Sequence, residues 1–422
     1  MNYSIYAYAN SQKATHTSFQ LSVFLEKTIT IIFLVFVSLP RNENFGFLLR
    51  VINLTDIFCL IWCCFILLKI HNHIPKAYIP YLLLCGFMLV CTYKNTGTDD
   101  LKTCIRLVIR MLGAILLFEH LFVCFGNKSF LVISRVWSIF LIVQFYSLIT
   151  RCFGYVSTNN SSNLPNYFFG IRNEINQYYL YSVTFSLIGF YLGGAADKFL
   201  AGICIASGII FVISENVSTT IAGSLFFVFV FLMVFIIKSK KIWYLICLVL
   251  FFILIIFPLV HDLDFISWFI EGVLGKEMTL TGRTLIWNQA ISQINGSHVV
   301  FGYGINPPFQ LYTDELFVVN HPHNQYLQII YNYGIPGFIL FSIIIWKQIS
   351  QIKFVKSNFI QAAFVAGLIS TLIISLTSRT FFYISAQLFF SMAIHLEKIP
   401  KKSFLFKRGF KGVLGYNLEY EK

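Results

Sequence analysis

Residues 218–260 read STTIAGSLFFVFVFLMVFIIKSKKIWYLICLVLFFILIIFPLV. Two apolar runs, each close to the ~20 residues that cross a hydrocarbon core, are parted only by Lys238, Ser239, Lys240 and Lys241. The runs are continuous rather than alternating, which is a helical pattern. A backbone in lipid must satisfy its own hydrogen bonds, so runs of this kind fold as helices. Working outward, the same pattern recurs at 22–39, 51–70, 77–93, 103–125, 130–150, 173–193, 198–215, 217–237, 242–260, 324–346, 358–377 and 379–396, about 12 spans in all. The fold class expected is an all-α polytopic membrane protein with one long outer loop.

Composition agrees. Of 422 residues 57% are hydrophobic and 12% charged, with mean hydropathy +0.74. A soluble domain carries about 25% charged residues, so an ordinary soluble enzyme, a disordered chain and a nucleic-acid-binding domain are excluded. The net charge of +13 reads instead as membrane topology. With both termini cytoplasmic, eighteen Lys and Arg fall on inside segments and nine outside, the asymmetry that sets orientation. The inside set is mostly Lys and the outside set mostly Arg, the better bidentate phosphate ligand. The ten cysteines are scattered through apolar runs, where Cys acts as a small hydrophobe. No Cys/His ligand cluster is expected, hence no metal. The first ~20 residues are polar and no secretory signal peptide is evident.

The chain divides into an N-terminal transmembrane bundle at 1–150, a core with the outer loops at 151–349, and C-terminal helices with a basic cytoplasmic tail at 350–422. Two outer segments interrupt the core. Residues 151–172 are rich in Ser and Asn, and residues 261–323 form a long loop, of the kind that is usually functional. Within it, Arg283 precedes Leu285, Ile286, Ala290, Ile291 and Ile294 on roughly one helical face, and Asn295-Gly296 stops them. This reads as a short amphipathic helix lying on the outer membrane surface.

Four polar groups stand out for chemistry. His321-Pro322-His323-Asn324 closes the long loop and opens a span, with Tyr333-Gly334-Ile335-Pro336-Gly337 following. His is the common general base near neutral pH, Asn324 suits a helix cap, and the glycines suit a kink or close packing. Gly282-Arg283-Thr284 with Trp287, then Phe301-Gly302-Tyr303-Gly304, offers a guanidinium and helix N-terminal amides to an anion. Arg172, Asn173 and Asn176 stand at the outer mouth of a span. Arg106 and Arg110 share one helical face inside an apolar run, and intramembrane charge is a functional signal by default.

In this order, the motifs resemble those of the O-antigen polymerase and O-antigen ligase superfamily (Wzy-type polymerases and lipopolysaccharide ligases), over about residues 165–345. The resemblance implies a metal-independent, membrane-embedded glycosyltransferase of the C type. It would work in the bacterial cytoplasmic (inner) membrane without a cofactor, on glycans carried by undecaprenyl diphosphate at the outer face. Membrane lipids and a separate chain-length regulator are the partners implied, and no nucleic acid. The family's loop His matches His323, its loop Arg matches Arg283, and His321 matches the less essential His. One departure is clear. Where family members carry an Arg at the outer start of a span, this chain has Val217-Ser218-Thr219-Thr220. A second diphosphate ligand is then sought among Arg172, Arg379 and Arg110. Trp287, Tyr303 and Tyr326 are expected to stack on sugar faces. The leading expectation is polymerisation of lipid-linked repeat units into O-antigen or capsular polysaccharide. The alternatives are ligation of finished glycan to lipid A-core and, from another class, a lipid-linked-glycan flippase or transporter. Against the last, the polar groups concentrate in one outer loop rather than along a path.

Overall fold

The computed structural model describes residues 24–40, 47–95, 98–157, 163–171, 175, 178–215, 218–260, 283–306, 311–312, 318–319 and 321–400. Each of the apolar runs folds as a helix: α1 over 24–38, α2 Phe47–Ile70, α3 Ile79–Asn95, α4 Thr98–Phe125, α5 Lys128–Thr150, α6 Tyr179–Leu192, α7 Ala195–Glu215, α8 Ser218–Ile236 and α9 Lys240–Val260. After the long loop come α12 Gln325–Gln351, α13 Asn358–Ile374 and α14 Ile384–Ile394, while α10 Arg283–Gln293 and α11 His298–Phe301 belong to the loop itself. Eight of the described helices are long and apolar enough to cross a membrane. The chain is an all-α polytopic membrane protein.

Length and burial sort the helices. α2, α8 and α9 bury only 28% of their apolar windows, so their Leu, Ile and Phe face outward, as lipid contact requires. The shorter α6, α13 and α14 are buried almost throughout and form the centre. Small residues permit this. A Cβ added at Gly367 of α13 would run into Thr184 of α6, and one at Gly189 of α6 would run into Ser134 of α5. Without a hydrophobic force between helices in lipid, such close approach supplies the packing energy.

The last two spans are shorter than hydropathy suggests. α13 ends at Ile374 and α14 begins only at Ile384. Leu376, Phe381 and Phe382, apolar enough to be counted as span, lie in the turn between them. Small sheets fill two of the connections: β1 Tyr155–Ser157, β2 Asn163–Tyr167 and β3 Gly170–Ile171 pair antiparallel in that order, as do β4 Leu311–Tyr312 and β5 Val318–Val319. At the other end the connections are short. There Glu119 of α4 accepts from Tyr78 Oη (2.5 Å) and meets His395 Nε2 (2.8 Å), tying α3 and the chain after α14 to α4.

One helix is broken. Gly334, inside α12, has φ 65° and ψ −173°. Two residues on, Pro336 has no N–H to give to the Asn332 carbonyl. The open carbonyls are filled from the loop: Tyr303 N–H donates to Tyr331 O and Gly304 N–H to Asn332 O, both at 2.9 Å. The two strands of backbone meet through glycine on each side. A Cβ at Gly302 would strike the Asn332 carbonyl, and one at Gly334 would strike the Val300 carbonyl. The Phe-Gly-Tyr-Gly and Tyr-Gly-Ile-Pro-Gly segments are therefore two halves of one joint. Gly334→Ala should lower the melting temperature of the detergent-purified protein markedly, because it adds a clash to a left-handed backbone. Gly86→Ala, whose Cβ would meet nothing within 4 Å, should not.

Candidate active site at the loop-bearing face

The His321–Asn324 segment is held in place from three sides. Asn324 Oδ1 accepts the Leu327 N–H at 3.0 Å and caps α12. Trp287 Nε1–H donates to the Pro322 carbonyl at 2.9 Å, which pins α10 to the turn between the two histidines. His323 N–H donates to His321 Nδ1 at 3.2 Å, and the rings lie 4.0 Å apart. His323 sits at φ 51°, a left-handed conformation that few non-glycine residues adopt. Strain of this kind persists only where surrounding contacts impose it, and it concentrates at functional sites.

Arg379 is brought to the same place by Gln325. The Gln325 side-chain carbonyl accepts from Thr380 N (2.8 Å) and Phe381 N (3.0 Å), and the Gln325 backbone N–H donates to Ser375 O (2.7 Å). The first turn of α12 thus clamps the α13–α14 turn. Burial, then the Arg379 charge, then His323 push the His321 imidazole down to about 2. His321 is therefore neutral at physiological pH. Accepting at Nδ1, it carries its proton on Nε2.

Beneath this turn lies a cavity of about 330 Å³, within the range of small-molecule sites. Its basic wall is Arg110 of α4 and Arg379. Its amide wall is Gln328 and Asn332 of α12 with Asn306 of the loop, and its aromatic wall includes Phe169, Tyr178, Phe382 and Tyr383. Gln328 Nε2 donates to Asn332 Oδ1 at 2.8 Å, and Asn306 donates to Asp100 at the start of α4 at 2.7 Å. Gln328 Oε1 is buried with no hydrogen-bond partner among the described residues, which leaves an acceptor for a hydroxyl. The Phe169 and Tyr178 rings stack at 4.5 Å. Phe169, in the turn between β2 and β3, is placed by its N–H on Gln144 Oε1 of α5 (2.7 Å). The cavity also touches Ser38 and Leu39 at the end of α1. Every lining element reaches it at the same end of the bundle.

The sequence-selected residues divide. His321, His323, Asn324 and Arg379 come together, and Arg110 joins Arg379 at the cavity, whereas Arg106 is exposed. Arg283 opens α10, but its side chain lies outside the described residues, as do Arg172, Asn173 and Asn176 altogether. The three aromatics expected to stack on sugars do not present their rings. Trp287 is fully buried beneath the turn. Tyr303, 4% exposed, donates its hydroxyl to Gln293 O at 2.7 Å. Tyr326, 1% exposed, donates to Leu372 O at 2.8 Å. All three position backbone rather than line a groove. α10 also departs from expectation. Its Ile286, Trp287 and Ala290 pack with Tyr303, Leu327 and Tyr331 in a small core of their own, so this face is covered by protein and does not lie on lipid. Sequence reading missed Gln328 and Asn332, although Asn324, Gln328 and Asn332 recur every four residues in an apolar span. That spacing is one helical face.

Residues 202–342 match the family model described as O-antigen ligase. Over 118 residues the chain is 28% identical to a protein of Rickettsia felis (strain ATCC VR-1525 / URRWXCal2) named "Putative polysaccharide ligase". That match takes in 26% of this chain and 29% of the relative's length. The family segment runs from α7 through the first part of α12. It therefore contains the histidine turn and the loop, while Arg110 and Arg379 lie outside it.

The neutral His321 has a consequence for stability. Its folded-state pKa lies far below the ~6.5 of an unfolded histidine. As pH falls through ~6.5 the unfolded chain takes up a proton that the folded chain refuses, so stability is lost on acidification. His321→Asn, which cannot titrate, should flatten the fall in melting temperature between about pH 7 and pH 5; an unchanged slope would remove His321 from the cause.

Proposed function

We propose that this chain is a glycosyltransferase that moves a glycan from a polyprenyl-diphosphate carrier to a sugar hydroxyl at the face bearing the 261–323 loop. The observation that carries the reading is a cavity at the end of the bundle lined by Arg379 and Arg110, with Arg379 beside the His321–His323 turn. A sugar hydroxyl is a poor nucleophile. The imidazole of His323, as general base, takes its proton as the oxygen attacks the anomeric carbon, worth about 10²–10⁴-fold. The bond from that carbon to the diphosphate breaks, and the guanidinium groups of Arg379 and Arg110 stabilise the departing charge by bidentate contacts. Arg283, at the start of α10, is a further candidate for the same charge. Gln328 and Asn332 offer amide partners to hydroxyls, and the polyprenyl chain remains in the bilayer beside the lipid-facing helices. Arg379 and Arg110 supply the charge that the resemblance expects from an arginine at Val217–Thr220. The excess of Lys on the opposite connections supports an outward-facing site with both termini cytoplasmic, in the bacterial cytoplasmic membrane.

The acceptor distinguishes two readings. A polymerase adds to the end of a new lipid-linked repeat unit; a ligase adds to a lipid A-core sugar. The names borne by the matched family and by the Rickettsia protein favour the ligase. In a deletion strain complemented with variants, His323→Ala and Arg379→Ala should each abolish long-chain glycan while the protein still inserts, and Arg110→Ala should reduce it at least about tenfold. Normal ladders from His323→Ala would sink the assignment. The gel of the deletion strain itself separates the readings: core with a single repeat unit for a polymerase, bare core with accumulated lipid-linked polymer for a ligase.

A further inference from the structure

At the end of α4 remote from the cavity, three side chains far apart in the chain turn their donor atoms toward one another. His120 and Cys124 are four residues apart on one face of α4, and Glu26 of α1 lies against them. His120 Nε2 is 3.0 Å from Glu26 Oε1 and 3.6 Å from Cys124 Sγ, and the three donor atoms lie within 4.8 Å of one another. We infer that Glu26, His120 and Cys124 form a binding site for a divalent transition-metal ion of the zinc class. Carboxylate oxygen, imidazole nitrogen and thiolate sulfur are the donors such an ion takes, whereas Mg²⁺ and Ca²⁺ favour oxygen alone. Three protein ligands leave the fourth tetrahedral position to water.

Lys69 bears on this directly. Its Nζ lies 2.6 Å and 2.5 Å from the two oxygens of Glu26. Ligating carboxylates are commonly hydrogen-bonded on their second oxygen. In the metal-bound form Lys69 keeps Oε2 and yields Oε1 to the ion. Lys69 is half exposed and His120 is buried, so the site opens toward water on the Lys69 side and is closed behind. Binding forms the metal–sulfur bond and breaks the Cys124 S–H bond, whose proton leaves to solvent. Arg110, which lines the cavity, and His120 are ten positions apart on α4, a rise of roughly 15 Å, so the ion does not touch groups that react at the cavity. It braces α1, whose other end supplies Ser38 and Leu39 to the cavity wall.

The test uses the full-length detergent-purified chain with the exposed thiols Cys64 and Cys152 changed to Ser, stripped by chelator and titrated with Co²⁺. One equivalent should bind with the visible bands of a tetrahedral ion and the near-ultraviolet band of cobalt thiolate. Cys124→Ser should remove the thiolate band, and His120→Ala and Glu26→Gln should each weaken binding at least about tenfold. Folding of each variant is checked by helical circular dichroism and gel filtration. No uptake by the stripped protein, or a thiolate band that survives Cys124→Ser, overturns the site.

Discussion

Inside a membrane a backbone carbonyl without a donor is costly, and α12 has two of them. The Gly334–Pro336 break opens the carbonyls of Tyr331 and Asn332, and the structure closes them with the amides of Tyr303 and Gly304. Irregular backbone at such depth is tolerated only where protein covers it or where it lines a cavity, and both hold here. The loop is therefore not draped over the bundle. It is hydrogen-bonded into a helix, and Asn332 and Ile305, on the two sides of the joint, both line the cavity.

From that joint the rest of the site follows along α12. Leu327 and Tyr331 make the seat for α10, whose Trp287 reaches up to Pro322. Asn324 and Gln325 spend their side chains on the cap and on the α13–α14 turn, and the next polar pair, Gln328 and Asn332, faces the cavity. One helical turn thus sets the histidine loop and Arg379 relative to each other. Sites built on helices in this way hold geometry more closely than sites built on free loops. The left-handed His323 is the point where this scaffold imposes a conformation that the residue would not adopt alone.

The matched family segment covers the histidines and α10 but neither Arg110 nor Arg379. The chemistry proposed here accordingly draws its base from the segment that is similar to other proteins and its anion-stabilising charge from parts of this chain that flank it. That division fits a chain in which Val217–Thr220 lacks an arginine and the charge must enter from other helices.

The sequence by itself determined the helical, membrane-spanning class, because a run of apolar residues long enough to cross lipid has no other way to satisfy its backbone. It also determined the cap at Asn324 and the break at Gly334 and Pro336, which rest on the chemistry of single residues. The roles of the aromatic residues were illegible. Trp287, Tyr303 and Tyr326 read like sugar platforms, but whether a ring faces a cavity or a core depends on what packs over it. The arginine pair was visible only as a set of candidates, since Arg110 lies in α4 and Arg379 in the α13–α14 turn, and their meeting depends on Gln325 folding that turn back. Glu26, His120 and Cys124 were likewise too far apart to read as a cluster. Only the tertiary structure decided these, because side-chain convergence follows from the packing of helices that are distant in the chain, and hydropathy carries no information about which helices are neighbours.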